Sequence, residues 1–123
     1  MMKLILGILL VVMSMVHVIY GEKMQVDEIK KLHASNILIG SFRVMSLQGG
    51  MILFAVGVVE VLAFYNLVVL TGVAAYIPVG ILCLNVVSLL IVSLIKHPEL
   101  IKATIPQLLI FLTIIIVELL TVM

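Results

Sequence analysis

The sequence predicts an all-α integral membrane protein, a four-helix bundle that forms a single transmembrane domain. Hydrophobic residues fill 65% of the 123 positions and charged residues only 11%, whereas a soluble domain carries about 25% charged residues. The mean hydropathy is +1.47. Because a helix needs about 20 apolar residues to cross a bilayer, the chain has enough of them for about four crossings.

The composition also excludes several classes of protein. Intrinsic disorder requires low hydrophobicity and a high net charge, and the net charge here is +1. No basic stretch is long enough to follow a phosphate backbone, so we expect no nucleic-acid partner. The single cysteine, Cys83, lies in an apolar run. It offers neither an internal disulfide nor a metal-binding spacing, so we interpret it as a packing residue.

The first span is predicted at about residues 4–20, an uncharged run. No good cleavage site follows it, so we expect a retained helix rather than a signal peptide. Residues 21–36 are the only long polar stretch. Three apolar residues in that stretch favour a short amphipathic helix at the membrane interface. They are Met24, Ile29 and Leu32.

The second span is predicted at about residues 37–65, with Ser35 or Asn36 as a plausible N-cap. Because 29 residues exceed what a crossing needs, we expect Arg43 to lie near the true membrane boundary.

The third span is predicted at about residues 67–95, and Pro78 allows two interpretations. It either kinks this helix or lies in the first turn of the spanning part, which would make residues 66–77 an apolar connection. The fourth span is predicted at residues 104–123. It opens with the motif TIPQ at residues 104–107, which has the form of a capping box with proline in the first turn.

The distribution of lysine and arginine predicts the orientation. One side carries five lysines in its loops and an arginine at its edge, and the other side carries only Lys3. The first group is Lys23, Lys30, Lys31, Lys96, Lys102 and Arg43. We therefore expect loops one and three in the cytoplasm and both termini outside.

Each span carries one stripe of small or polar residues at helical spacing. The stripes are Gly7, Ser14, His17 and Gly21; Arg43, Ser46, Gly50, Gly57 and Glu60; Pro78, Asn85 and Ser88; and Thr104, Gln107, Glu118 and Thr121. Helices in lipid associate through close backbone approach and buried polar contacts, so we expect these stripes to face inward. The residues expected to pack helices together are Gly7, Ser14, Ser46, Gly49, Gly50 and Gly57.

Depth divides the polar residues into two candidate sites. One set lies toward loops one and three and comprises His17, Arg43, Asn85, Ser88 and Gln107, with Glu22 at its mouth. Arg43 either binds an anionic group, pairs with Glu22 or reaches the headgroups. His17 either ligates a metal or haem or hydrogen-bonds within the bundle. A bis-histidine haem would need a second intramembrane histidine, so we expect no metal and no cofactor.

Glu60 and Glu118 form the second candidate site, near the opposite surface. Two carboxylates at one depth would suit exchange of protons or cations, because each makes ionisation of the other harder. The alternative is that each carboxylate reaches water at the outer interface. Ionisable groups within a span are functional candidates by default.

Two motifs carry a resemblance to known proteins: HVIYGE at residues 17–22 and RVMSLQGG at residues 43–50. Their order resembles a loose group of small prokaryotic four-helix membrane proteins of unknown function, with His-x-x-x-Gly-Glu ending the first helix. The resemblance implies four spans and no particular activity. It also implies one cluster at the cytoplasmic mouth, formed by His17, Glu22, Arg43 and Gln48.

No nucleophile–base pair and no phosphate-binding glycine loop is present, so the sequence does not favour an enzyme. We expect a small structural or accessory subunit, embedded in the lipid bilayer within a membrane complex or a homo-oligomer. The alternative is a small transporter, or an oligomer that conducts ions or protons through its intramembrane Glu, His and Arg.

Overall fold

The computed structural model describes residues 1–123, and it confirms the all-α prediction: four long helices and no strand. In chain order the elements are α1 (Met2–Tyr20), a π-helical stretch (Gly21–Gln25), α2 (Val26–Lys31), α3 (Asn36–Phe64), a 3₁₀ helix (Gly72–Tyr76), α4 (Ile77–Ile95) and α5 (Glu99–Val122). The four long helices are long and apolar enough to cross a membrane. They run alternately up and down.

The polar segment after α1 is helical, but it does not form a separate helix. α1, the π-helical stretch and α2 follow one another without a break from Met2 to Lys31. Gly21 keeps a right-handed helical backbone and continues the hydrogen-bonding of α1. Val26 in this segment is buried, so α2 packs onto the bundle. The short helix that the sequence predicts in this segment is therefore present as α2, continuous with α1.

The ends of α3 follow local chemistry. The Ser35 hydroxyl accepts a hydrogen bond from the backbone N–H of Leu38 at 3.2 Å, so Ser35 is the N-cap and Asn36 is the first helical residue. Beyond the C-terminus, Asn66 adopts a φ of 58°, and asparagine tolerates this left-handed conformation better than most residues.

The start of α4 decides between the two interpretations of Pro78. The helix begins at Ile77, so Pro78 lies in its first turn, where a missing N–H leaves no helical hydrogen bond unmade. The third predicted span is thus shorter than expected. Residues 65–76 form an apolar connection with a single 3₁₀ turn.

The predicted start of the fourth span is wrong. α5 begins five residues earlier, at Glu99, and Pro106 lies inside it. Thr104 caps nothing, because its hydroxyl donates to the carbonyl of Leu100 at 2.6 Å, one turn back in the same helix. Pro106 removes only the hydrogen bond to the carbonyl of Lys102. The loss falls near the helix end, where the chain tolerates it.

The core is an apolar cluster to which all four long helices contribute. It comprises Leu6 and Leu10 of α1, Leu53 and Val56 of α3, Val79 and Leu82 of α4, and Phe111, Ile114 and Ile115 of α5. Only 20 of the 123 residues are buried. The rest of the leucine, isoleucine and valine surface faces outward, as expected where lipid or another apolar partner replaces water.

Small residues bring α1 and α3 together in the most extensive helix–helix contact of the molecule. A Cβ on Gly7 would lie 2.7 Å from the carbonyl oxygen of Gly57, and a Cβ on Gly57 would lie 2.8 Å from that of Gly7. Gly21 similarly faces Ser46, and Gly50 faces the backbone of Ser14. The two backbones therefore touch where the glycines cross.

The predicted stripes do not all face inward. Arg43, Ser88 and Gln107 are exposed. The Ser88 hydroxyl donates to the carbonyl of Leu84 at 2.8 Å, on its own helix, and so needs no partner on another helix. The stripe of α4 is thus only partly used in packing.

Candidate functional site

Three charged side chains meet at the end of the bundle where α1 begins and where α3 and α5 end. Lys3 Nζ lies 3.1 Å from Glu60 Oε2 and 3.8 Å from Glu118 Oε1. Only the first distance is a hydrogen bond. Because each residue comes from a different helix, this carboxylate cluster (Lys3, Glu60 and Glu118) ties α5 to the α1–α3 pair.

Both carboxylates of the cluster are fully enclosed by protein. Glu60 is 0% exposed and Glu118 is 1% exposed, while 32% of the side-chain surface of Lys3 is exposed. Glu60 Oε1 and both oxygens of Glu118 have no hydrogen-bond partner. Buried charges require pairing or neutralisation, and one ammonium balances only one carboxylate. One shared proton would make the cluster neutral.

The sequence placed Glu60 and Glu118 at one depth, and the structure brings them to the same ammonium group. Their burial removes the alternative in which each carboxylate reaches water at the outer interface. Sequence reasoning missed Lys3, which it treated only as a flanking charge. A signal was available: Lys3 lies four residues before Gly7, on the face that α1 packs against α3.

The two charged ends of α3 are separated by most of the length of the helix. Arg43 and Glu60 lie 17 residues apart, a rise of about 25 Å. The connection that follows α3 is apolar, and its residues Leu67, Val69 and Val73 are exposed.

At the opposite end, Glu22 and Arg43 form a two-bond salt bridge. Arg43 Nε and Nη2 donate to the two carboxylate oxygens of Glu22 at 2.9 and 2.5 Å. Of the alternatives for Arg43, pairing with Glu22 is the one observed. The hydrogen bonds from Arg43 hold the pKa of Glu22 below its ordinary value of 4.5. Both side chains remain about half exposed.

A polar cavity of about 80 Å³ lies between the two charged ends. Three polar residues, each from a different helix, line this cavity: His17, Asn85 and Gln107. Gly49 of α3 also lines it.

The six residues expected to form one cluster at the cytoplasmic mouth are therefore divided in the structure. Glu22 and Arg43 form the ion pair, and His17, Asn85 and Gln107 line the cavity. Gln48 is exposed and lines neither.

Metal binding finds no support in the arrangement of side chains. No group of three or more His, Cys, Asp or Glu side chains is close enough to hold an ion. Cys83 is partly buried against the apolar core, which agrees with a packing role.

Comparison of the chain with protein-family models, curated proteins and solved structures found no match. The buried charges and the polar cavity are the two features of the molecule that bear on function. The carboxylate cluster is the more unusual of the two, because it places three ionisable groups within an otherwise apolar bundle end.

Proposed function

We propose that this chain is a small multi-pass membrane protein that conducts protons through the carboxylate cluster, acting as a homo-oligomer. The observation that carries the proposal is the pair of fully buried carboxylates, Glu60 and Glu118, which share one lysine and leave three oxygens unpartnered. Such a cluster has one more acidic group than Lys3 neutralises. It can therefore bind and release a single proton.

Energetics favour a functional reason for these charges. A buried ion pair commonly stabilises a protein no more than apolar residues of the same volume would. Leucine or methionine at positions 60 and 118 would hold the helices together at least as well. Ionisable residues retained within a span mark ion and proton pathways by default, and the cluster fits that pattern.

The proposal includes an orientation. Excess lysine and arginine in the segments around residues 21–35 and 96–102 places that end in the cytoplasm by the positive-inside rule. The carboxylate cluster then lies toward the outer face, and the Glu22–Arg43 pair lies toward the inner one. Protons moving between the two aqueous phases would cross the apolar core between these ends.

A second candidate function is an accessory subunit of a larger membrane complex. It is favoured by the sparse packing of α4 against the rest of the bundle and by the breadth of the exposed apolar surface. In that case the carboxylate cluster would serve only to join α5 to the α1–α3 pair. Neutral amides at positions 60 and 118 would then serve nearly as well.

Proton flux into liposomes separates the two candidates. The purified protein is reconstituted into vesicles containing a pH-sensitive dye, and a potassium gradient with valinomycin drives proton entry. We expect Glu60→Gln and Glu118→Gln each to abolish the flux. The matched control is Glu28→Gln, since Glu28 is exposed and pairs only with Lys31 on its own helix.

Retention of flux in both amide variants would overturn the proposal. If wild-type vesicles carry no flux and the protein copurifies with other membrane subunits, the accessory function replaces it. Circular dichroism and gel filtration of each variant establish that loss of flux does not reflect loss of fold.

A further inference from the structure

The polar cavity is a second site, whose lining includes none of the three residues of the carboxylate cluster. Its floor is formed by Leu53 and Phe111, which belong to the apolar core. Gly49 and Glu60 lie 11 residues apart on α3, a rise of about 16 Å. The cavity is therefore separated from the carboxylate cluster by most of the buried core.

His17 is seated in a recess of α3. A Cβ on Gly49 would lie 3.1 Å from Nε2 of His17, and a Cβ on Gly50 would lie 3.7 Å from its Cδ2. The imidazole fits against the α3 backbone because both positions lack a side chain. Larger residues there would move the ring or fill the space that it occupies.

The polar groups of the cavity are largely unused within the chain. Asn85 Nδ2 donates to the carbonyl of Ile81 at 3.0 Å, which leaves its Oδ1 free. Neither the His17 ring nor the Gln107 amide makes a hydrogen bond to another protein group, although both line the cavity. Three polar residues with unused donors or acceptors therefore border one small space, and Gln107 among them is also exposed at the bundle surface.

The volume of the cavity limits which molecules it can hold. A volume of about 80 Å³ has room for at least two or three water molecules, since one water needs about 10–15 Å³ of space open to its centre. Organic ligands occupy pockets of about 300–1,000 Å³, so they do not fit. A water in a polar cavity needs two to four partners, and His17, Asn85 and Gln107 supply them.

We propose that this cavity holds two or three water molecules and that His17 accepts and releases protons there. Histidine is the side chain whose ordinary titration falls between pH 5 and 8. A hydrated proton binds the free ring nitrogen, and the imidazolium returns it to water, so no other reactant is required. As a relay for the carboxylate cluster, this role of His17 rests on the proposed function.

The surroundings of His17 are uncharged on three sides. Gly49 and Gly50 face it from α3, and Asn85 and Gln107 share its cavity from α4 and α5. The next charged residue along its own helical segment is Glu22, which Arg43 neutralises. A proton on His17 therefore meets no nearby carboxylate or ammonium that is free to oppose or trap it.

Nuclear magnetic resonance of the unaltered protein tests the water and the titration directly. Protein labelled with ¹⁵N-histidine is placed in lipid nanodiscs, and magnetisation is transferred from water to the ring nitrogens between pH 5 and 8. His33 and His97 are exposed and serve as internal references. We expect His17 to show both water contact and a pH-dependent ring shift. The inference is overturned if the His17 ring receives no magnetisation from water, or if its nitrogen shifts do not change with pH.

Flux through reconstituted vesicles tests the relay. We expect His17→Gln to lower proton flux clearly below the wild-type value, while His33→Gln and His97→Gln leave it unchanged. Gln107→Leu, which makes the cavity less polar, should have the same direction of effect. Wild-type flux in His17→Gln, with Glu60→Gln inactive, would overturn the relay and leave the proposed function standing. Wild-type flux in both glutamate variants would overturn the proposed function instead.

Discussion

The two helical hairpins of this bundle are built by different means. α1 and α3 meet with Gly7 against Gly57, and two further glycines let the backbones approach closely. Ion pairs lie at both ends of their contact. α4 and α5 make a much smaller contact and have no comparable glycine crossing. Gly80, the only glycine of α4, has open space where a Cβ would be.

The difference shows which residues define helix geometry in an apolar setting. A leucine packed against another leucine has little more favourable free energy than a leucine packed against lipid. Leucine contacts therefore do not specify one arrangement of the helices. Close backbone approach and buried charge do specify one, and both are concentrated in the α1–α3 pair. α5 is joined to that pair by Glu118 and by the core, whereas α4 relies on apolar packing and shape.

The largest effect should come from removing the cation of the carboxylate cluster. Lys3→Met leaves two buried carboxylates with no counter-charge, and we expect a loss of about 3 kcal/mol in the free energy of unfolding at pH 8. Unfolding by SDS in mixed micelles measures the loss.

The triple neutral variant Lys3→Met, Glu60→Gln, Glu118→Gln is the control, because it removes both signs of charge together. It should recover most of the stability lost by Lys3→Met alone. Equal destabilisation by the single and triple variants would show that the lysine stem, and not its charge, matters.

The next effect is steric and compares two glycines on one helix. Gly57→Ala places a Cβ 2.8 Å from a backbone oxygen of α1, and we expect a loss of about 1–3 kcal/mol. Gly40→Ala meets nothing within 4 Å and should stabilise α3 by about 0.5–1 kcal/mol, the usual gain of alanine over glycine in a helix. SDS unfolding of both variants provides the test. Effects of the same sign would mean that α1 and α3 do not cross at Gly57.

A smaller effect is expected in α4, where Ser93 is buried and its hydroxyl has no partner. Ser93→Ala removes an unsatisfied polar group, and we expect stability to stay equal or to rise by up to about 1 kcal/mol. Ser14→Ala is the comparison, because the Ser14 hydroxyl donates to the carbonyl of Val11 at 2.6 Å. In the same SDS unfolding assay, Ser14→Ala should lower the free energy of unfolding. A clear loss in Ser93→Ala would contradict the absence of a partner.

The smallest effect concerns the exposed pair between Glu22 and Arg43. Because Arg43 lowers the pKa of Glu22, the pair stabilises the fold above the ordinary pKa of 4.5. That contribution is lost as the pH falls through the lowered value. We expect Glu22→Gln to be slightly less stable than the wild type at pH 7 in low salt and equal to it in strong acid. High salt should also remove the difference, since exposed pairs are screened.

The elements that could be predicted from sequence are those set by local chemistry. Four apolar runs specify four helices, because each backbone polar group must be satisfied within its own helix. Ser35 was identified as a plausible cap from its residue type. The start of α5 was misplaced, because the TIPQ motif at residues 104–107 has the form of a cap although the helix already runs from Glu99. A helix in an apolar medium tolerates an internal proline near its end.

The sequence by itself determined the helices, the polar stripe on α1 and the common depth of Glu60 and Glu118. Only the tertiary structure decided that Lys3 lies between those carboxylates, and that His17, Asn85 and Gln107 share one cavity while Gln48 stands apart. The physical reason is that helical periodicity relates residues along one helix. Which helix faces meet depends on where glycines let two backbones touch. That depends on contacts between different helices, which the periodicity of one helix does not contain.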